Sequence, residues 1–147
     1  MLFRSTLALI SFSLKSLDGI QSVKSLKTID ILAPHLSDIR PISELTDIQS
    51  ISIIGNEVMD FTPLSACKNL EILDVRGSSF GLDMNILSDL VNLKKIYIDN
   101  QDVLNISVLC CLPKLETIVT NKSFYEKIEP IQREEIQVHN INFELLD

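Results

Sequence analysis

Leu26-Lys27-Thr28-Ile29-Asp30-Ile31 is the stretch that decides the fold, because its pattern returns four more times. It reappears as Ile48-Gln49-Ser50-Ile51-Ser52-Ile53, as Leu70-Glu71-Ile72-Leu73-Asp74-Val75 and as Leu93-Lys94-Lys95-Ile96-Tyr97-Ile98. The last copy, Leu115-Glu116-Thr117-Ile118-Val119-Thr120, ends on a polar residue. The copies start at 26, 48, 70, 93 and 115, so the steps are 22, 22, 23 and 22 residues. In the first four copies the third-from-last and last residues are apolar, with period two, which predicts a short half-buried strand. Beyond each strand the apolar residues recur every three positions, as in Leu36, Ile39, Ile42 and Leu45, then Val58, Phe61 and Leu64, and later Val103, Ile106, Leu109 and Leu112. That spacing suits 3₁₀ or short helical turns. A single such coil cannot bury its own apolar face, whereas stacked coils bury a continuous one.

One step back from Leu26 lies Arg4, and Leu7, Leu9, Leu14, Leu17, Ile20 and Val23 then fall on repeat positions. The expected coils therefore start near 4, 26, 48, 70, 93 and 115. Ile136, Val138, Ile141 and Phe143 read as a terminal strand near 135–143 after a shortened unit. The whole of 1–147 is expected to form one repeat domain. Because the N-terminus keeps the repeat phase, it is read as part of the solenoid and not as a signal peptide, which leads to a cytoplasmic expectation. No stretch approaches the roughly 20 apolar residues of a membrane span.

The segment Leu36-Ser37-Asp38-Ile39-Arg40-Pro41-Ile42-Ser43-Glu44-Leu45 resembles the bacterial internalin-type leucine-rich repeat. Asp60-Phe61-Thr62-Pro63-Leu64, with Asn56 ahead of it, is similar again, and so, more weakly, is Ile128-Glu129-Pro130-Ile131. The resemblance implies an α/β solenoid: a horseshoe with a parallel sheet of about seven short strands on its concave face and 3₁₀ or short helical turns outside. It also implies an Asn at the ninth repeat position, tying adjacent coils through backbone hydrogen bonds. Here that position holds Phe12, Pro34, Asn56, Ser78, Gln101 and Ser123, so a weaker ladder is expected. An exposed first strand would leave an open sheet edge, to be covered by a partner or a second copy.

Formal net charge is −7, from 13 Lys and Arg against 20 Asp and Glu. Residues 1–50 hold five of each sign, so the deficit lies entirely after residue 50. An acidic surface repels phosphate backbones, which argues against nucleic acid and for a basic partner. Three cysteines, Cys67 and the adjacent Cys110 and Cys111, make a poor disulfide framework. His35 and His139 lie far apart in the repeat, and Asp99-Asn100-Gln101-Asp102 lacks the Gly and distal Glu of a calcium loop. Cys110 and Cys111 have no His in their own coil to act as a base. Asn105-Ile106-Ser107 and Asn121-Lys122-Ser123 fit the glycosylation pattern, which matters only in a secreted chain. Neither enzyme, metal nor cofactor is expected.

The solvent-facing strand positions are expected to form ladders: Thr6, Thr28, Ser50, Ile72, Lys95, Thr117, Glu135; then Ala8, Asp30, Ser52, Asp74, Tyr97, Val119, Gln137; then Ile10, Leu32, Ile54, Arg76, Asp99, Asn121, His139. Ile10, Leu32 and Ile54 would form an apolar patch on a wet face. Asp30, Asp74, Arg76, Tyr97 and Asp99 would form a mostly acidic patch around an aromatic. With Ser52 and Asn121 these are the candidate protein-binding residues. The leading expectation is a non-catalytic protein-interaction module, as an inhibitor or immunity protein that neutralises a basic toxin or nuclease. The alternatives are a secreted effector or adaptor engaging a host protein, and a fragment of a larger repeat protein. A monomer or an edge-to-edge homodimer is expected.

Overall fold

The computed structural model describes residues 5–78, 82–99 and 103–146. The coil start at Arg4 and the positions Gln101 and Asp102 lie outside them, as do the side chains of Val103 and Asn105. Seven strands form one parallel sheet in chain order: β1 (Thr6–Ile10), β2 (Thr28–Leu32), β3 (Ser50–Ile54), β4 (Ile72–Asp74), β5 (Lys95–Tyr97), β6 (Thr117–Asn121) and β7 (Asn142–Leu146). From β1 to β6 the register is the repeat itself, with Ile29 beside Ile51, Leu73, Ile96 and Ile118 in turn.

Each coil turns by the same bonds. The N–H groups of Leu26, Ile48, Leu70, Leu93 and Leu115 each donate to the carbonyl three residues earlier, at 2.9–3.3 Å. The leucine or isoleucine that opens each copy thus marks a turn feeding the strand. On the outer side lie 3₁₀ turns at Arg40–Glu44, Thr62–Ala66 and Met84–Asp89. An Asp two residues ahead holds each one open at its start: the N–H groups of Arg40, Thr62 and Asn85 donate to Asp38, Asp60 and Asp83 at 2.9–3.0 Å. Short polar side chains that bond the backbone two residues on are well suited to starting turns. Arg40 also forks onto Asp38 and holds that half-buried carboxyl down at about 2.

Strand and turn side chains meet in one core. Ile29, Ile31, Ile51, Ile53, Leu73, Val75, Ile96 and Ile98 are all completely buried. So are Leu36, Ile42, Leu64 and Leu87 from the outer turns. Asn56, at the ninth repeat position, is buried too. Its Nδ2 donates to Ile53 O (2.8 Å) and Ser78 Oγ (3.0 Å), and its Oδ1 accepts from Val58 N (2.9 Å). Ser78 occupies the same position one coil on and donates to Val75 O at 2.7 Å. Two consecutive coils are therefore tied side chain to side chain, so Ser78 continues part of the ladder that the loss of Asn was expected to weaken.

The end of the chain departs from the sequence expectation. Residues 130–138 form a helix, α2 (Pro130–Val138), preceded by α1 (Lys122–Lys127), and the last strand is Asn142–Leu146 instead of 135–143. Local chemistry outweighs the apolar alternation. Pro130 occupies the first helical turn, and Glu129 and Gln132 form a reciprocal capping box. Ile136 is buried whereas Val138 is 72% exposed, so no alternating stripe exists there. Asn140, at φ 59°, then turns the chain into β7. Thr117, Val119 and Asn121 consequently sit beside Asn142, Glu144 and Leu146, and Glu135, Gln137 and His139 leave the ladders.

Gly55 and Gly77 close β3 and β4 at φ 63° and 67°. A Cβ on Gly77 would lie 3.3 Å from both the Cα and the N of Gly55. Gly77→Ala combines this contact with a left-handed backbone, and is expected to lower stability by about 1–2 kcal/mol. Gly19→Ala has open space around it at φ 97° and isolates the backbone part of the cost. Equal urea midpoints for the two variants would show that the stacked glycines need no closeness.

Candidate protein-binding face

The concave side of the sheet has two chemically distinct halves. The first rests on β1 to β3. Ile10, Leu32 and Ile54 stand side by side in register, as the sequence ladder requires. Ile10 is 69% exposed and Leu32 39%, and Ile54 is half-buried. With Ala8 and Asp30 they line an open hollow of about 520 Å³. Asp30 is exposed, and no residue among those described hydrogen-bonds or ion-pairs with its side chain. Ser52, next to it on β3, is half-buried and uncharged.

The second half rests on β4, β5 and β7. Asp74 is buried, and its carboxylate is gripped by Arg76 through Nε (2.9 Å) and Nη2 (2.6 Å). That fork raises the guanidinium's pKa from its ordinary value and holds its Cζ 5.0 Å from the Tyr97 ring centre. Lys95 Nζ lies 5.3 Å from the same ring and 2.8 Å from Glu144. The half-exposed Tyr97 thus stands between two cations, each neutralised by its own carboxylate. Cations close to an aromatic face add to the orientation of both groups. Asp99 accepts the Gly77 N–H at 2.7 Å, which ties its carboxylate to the end of β4.

The structure thereby sorts the candidate residues. Ile10, Leu32 and Ile54 come together, as do Asp74, Arg76, Tyr97 and Asp99. The second group is a self-neutralised frame more than an acidic patch, because Arg76 cancels Asp74. Asp74 is buried beneath its partner and acts on the face by fixing Arg76. Asn121 caps α1, its Oδ1 accepting from Phe124 N at 2.7 Å, and is occupied structurally. Lys95 and Glu144 belong to the frame and were not among the candidates. Lys95 could have been found, since it stands two residues from Tyr97 on one strand face; Glu144 could not, while the last strand was placed too early.

Other chemistry is sparse. Cys67, Cys110 and Cys111 are free, and burial pushes the Cys67 thiol up to about 11. Among the described residues, no three of His, Cys, Asp and Glu gather as metal ligands, and no helix is long and apolar enough to cross a membrane. His35 pairs with Glu57 at 3.2 Å on the exposed surface.

At the level of sequence, no protein-family model and no curated protein matches the chain. Among solved structures it is similar to two internalins of Listeria monocytogenes. One, an internalin (inlF), shares 14% identity at a TM-score of 0.63 over 97% of this chain and 49% of that one. The other, internalin C2, shares 16% at 0.60 over 97% and 80%. The chain thus spans about half the length of the first. Parallel strands in strict order, 3₁₀ turns behind them and this likeness together establish the fold: the chain folds as a leucine-rich-repeat solenoid, similar to the solenoids of the internalins.

Proposed function

We propose that the chain is a non-catalytic protein-binding module whose concave face receives a protein partner. The observation that carries this reading is the in-register apolar row Ile10–Leu32–Ile54 set beside the fixed Arg76–Tyr97–Lys95 frame. Apolar contact area next to a held aromatic and arginine is the composition of an interface centre. The ion pairs hold those side chains in place before binding, which lowers the ordering cost of association. The partner is basic. Net charge is −7, and Asp30 stands unpaired at the border of the two halves. In its specific form the module is an inhibitor or immunity protein that captures a basic toxin. Acidic charge accelerates such capture, more strongly at low salt.

The test is affinity capture with the tagged chain from its source cell, followed by binding measurements on the purified prey. A Leu32→Asp, Tyr97→Ala variant, both changes being on the concave surface, is expected to bind about 1,000-fold more weakly, since two interface-centre residues at about 2 kcal/mol each are lost. Its melting curve should remain close to the parent's. Unchanged affinity would remove the concave face from the binding site. Protection of cells against the prey's toxicity would support the immunity reading, and a prey without toxicity would sink it. The secreted-effector alternative is supported by the fold's likeness to internalins, and a host-cell prey would favour it.

A further inference from the structure

Among the described residues the sheet has two edges, β1 and β7, and they differ in a way that selects one of them for self-association. In a parallel pair, alternate residues direct both backbone groups to the neighbouring strand. The Ser5 carbonyl accepts from Lys27 and Thr28, and the Ser11 N–H donates to Leu32 O at 3.0 Å. By that alternation Leu7 and Leu9 also face β2. Thr6, Ala8 and Ile10 therefore direct their N–H and C=O groups outward, away from the sheet. The side chains alternate too. Leu7 and Leu9 lean to the core side, where with Leu14, Leu17, Ile20 and Val23 they line an open apolar hollow of about 450 Å³. Leu9 is 37% and Val23 42% exposed there.

We infer that β1 pairs antiparallel with β1 of a second copy about a twofold axis at Ala8. In this register Thr6 faces Ile10 of the other copy and Leu7 faces Leu9, so all five residues are paired. The outward-directed residues, Thr6, Ala8 and Ile10, fall at the hydrogen-bonded pairs, as the antiparallel ladder requires. Leu7 and Leu9 of each copy cover the other's open hollow. The two concave faces continue as one surface, because the axis runs perpendicular to the sheet.

Charge points to a second copy at this edge and against one at β7. Thr6–Ile10 carries no charge, and residues 1–50 sum to zero although the chain carries −7. The edge devices that block strand addition, a lysine, a proline or a bulge, are absent from β1. In β7 the Asn142 N–H donates inward to Glu116 O, so Phe143 and Leu145 face outward. Full antiparallel self-pairing of Asn142–Leu146 would then set Glu144 directly opposite Glu144, and like charges opposed across strands destabilise the pair.

The test is sedimentation velocity on the full chain and on two variants, Ala8→Lys and Ala8→Glu. Ala8 is exposed, so both should fold, which circular dichroism melts would verify. The twofold places the two position-8 side chains next to each other, with Cα atoms about 5.5 Å apart. The parent should sediment at twice the monomer mass of 16.6 kDa. Either variant alone should sediment as a monomer, and an equimolar mixture of the two should return to the dimer. A parent that stays monomeric at every concentration would overturn the proposal. So would variants that remain dimeric alone, since the contact would then lie elsewhere, and so would two folded monomeric variants that fail to rescue each other. Ala8 also lines the concave hollow, but sedimentation of the purified chain with no partner present reads the dimer alone, so loss of dimer and loss of partner binding are measured separately.

Discussion

An Ile53→Ala variant is expected to lose about 2–5 kcal/mol of unfolding free energy in urea titrations. Ile53 is completely buried in the third strand, with Ile31 in register on one side. The lost methyl and methylene groups forfeit their transfer free energy, and a cavity remains because neighbouring backbones are tied to the sheet on both sides. A solenoid makes the loss worse, since each coil is stabilised mainly by its two neighbours and one truncation weakens both contacts. Against a typical total of roughly 5–15 kcal/mol, the variant stands near the edge of folding. Ile10→Ala is the matched control. It removes the same atoms from a strand in the same sheet, but from a side chain 69% exposed, and should change stability by no more than about 0.5 kcal/mol. If the two variants melted alike, the inside-outside assignment of the repeat would be wrong.

That inside-outside assignment was legible in the sequence, and the reason is geometric. A parallel solenoid converts a sequence period directly into spatial neighbours, so the step of 22 or 23 residues carried the register from β1 to β6 and the burial of most strand positions, whereas Asp74 and Val119, expected on the solvent face, are buried. The ladders Ile10–Leu32–Ile54 and Asp30–Ser52–Asp74–Tyr97 followed from the same step. Where the period lapses, so does the reading. Between β6 and β7 the spacing from Thr117 to its neighbour Asn142 is 25 residues, and the intervening Pro130 and capping box start a helix that apolar counting took for a strand. Glu144 was missed as a consequence, along with its bond to Lys95. Charge bookkeeping failed differently. Asp74 and Arg76 lie two residues apart on one strand, so their mutual fork was available to sequence reasoning, yet they were counted as separate contributors to an acidic patch. Periodicity says which side chains share a face, and leaves open which of them use each other.

Asn56 shows the same limit from the side of stability, because composition alone cannot say what a lone Asn among apolar neighbours bonds to. Asn56→Ala is expected to lower stability by about 2–4 kcal/mol, as it leaves the Val58 N–H, the Ile53 carbonyl and the Ser78 hydroxyl each short of a buried partner. Asn56→Asp should be at least as damaging. It keeps the acceptor for Val58 N but turns the donor that faces Ile53 O into a second acceptor, and it places a carboxylate at a site only 1% exposed. Protonation would relieve that carboxylate. The group's pKa in the fold would lie above its unfolded value, so the Asp variant should regain stability as pH falls toward the unfolded carboxyl range and lose it as pH rises. Asn56→Ala should show no such pH dependence relative to the parent. Ser78→Ala removes one end of the same link, its bond to Val75 O and its acceptance from Asn56, and is expected to cost about 1 kcal/mol. The coupling decides the point. If the hydroxyl and the amide act as one tie between coils, the double variant Asn56→Ala, Ser78→Ala should lose measurably less than the sum of the two singles, since the Oγ that the first change strands is removed by the second. Strict additivity in urea titrations would mean that the two side chains hold their own coils separately and that nothing polar links one coil to the next at this position.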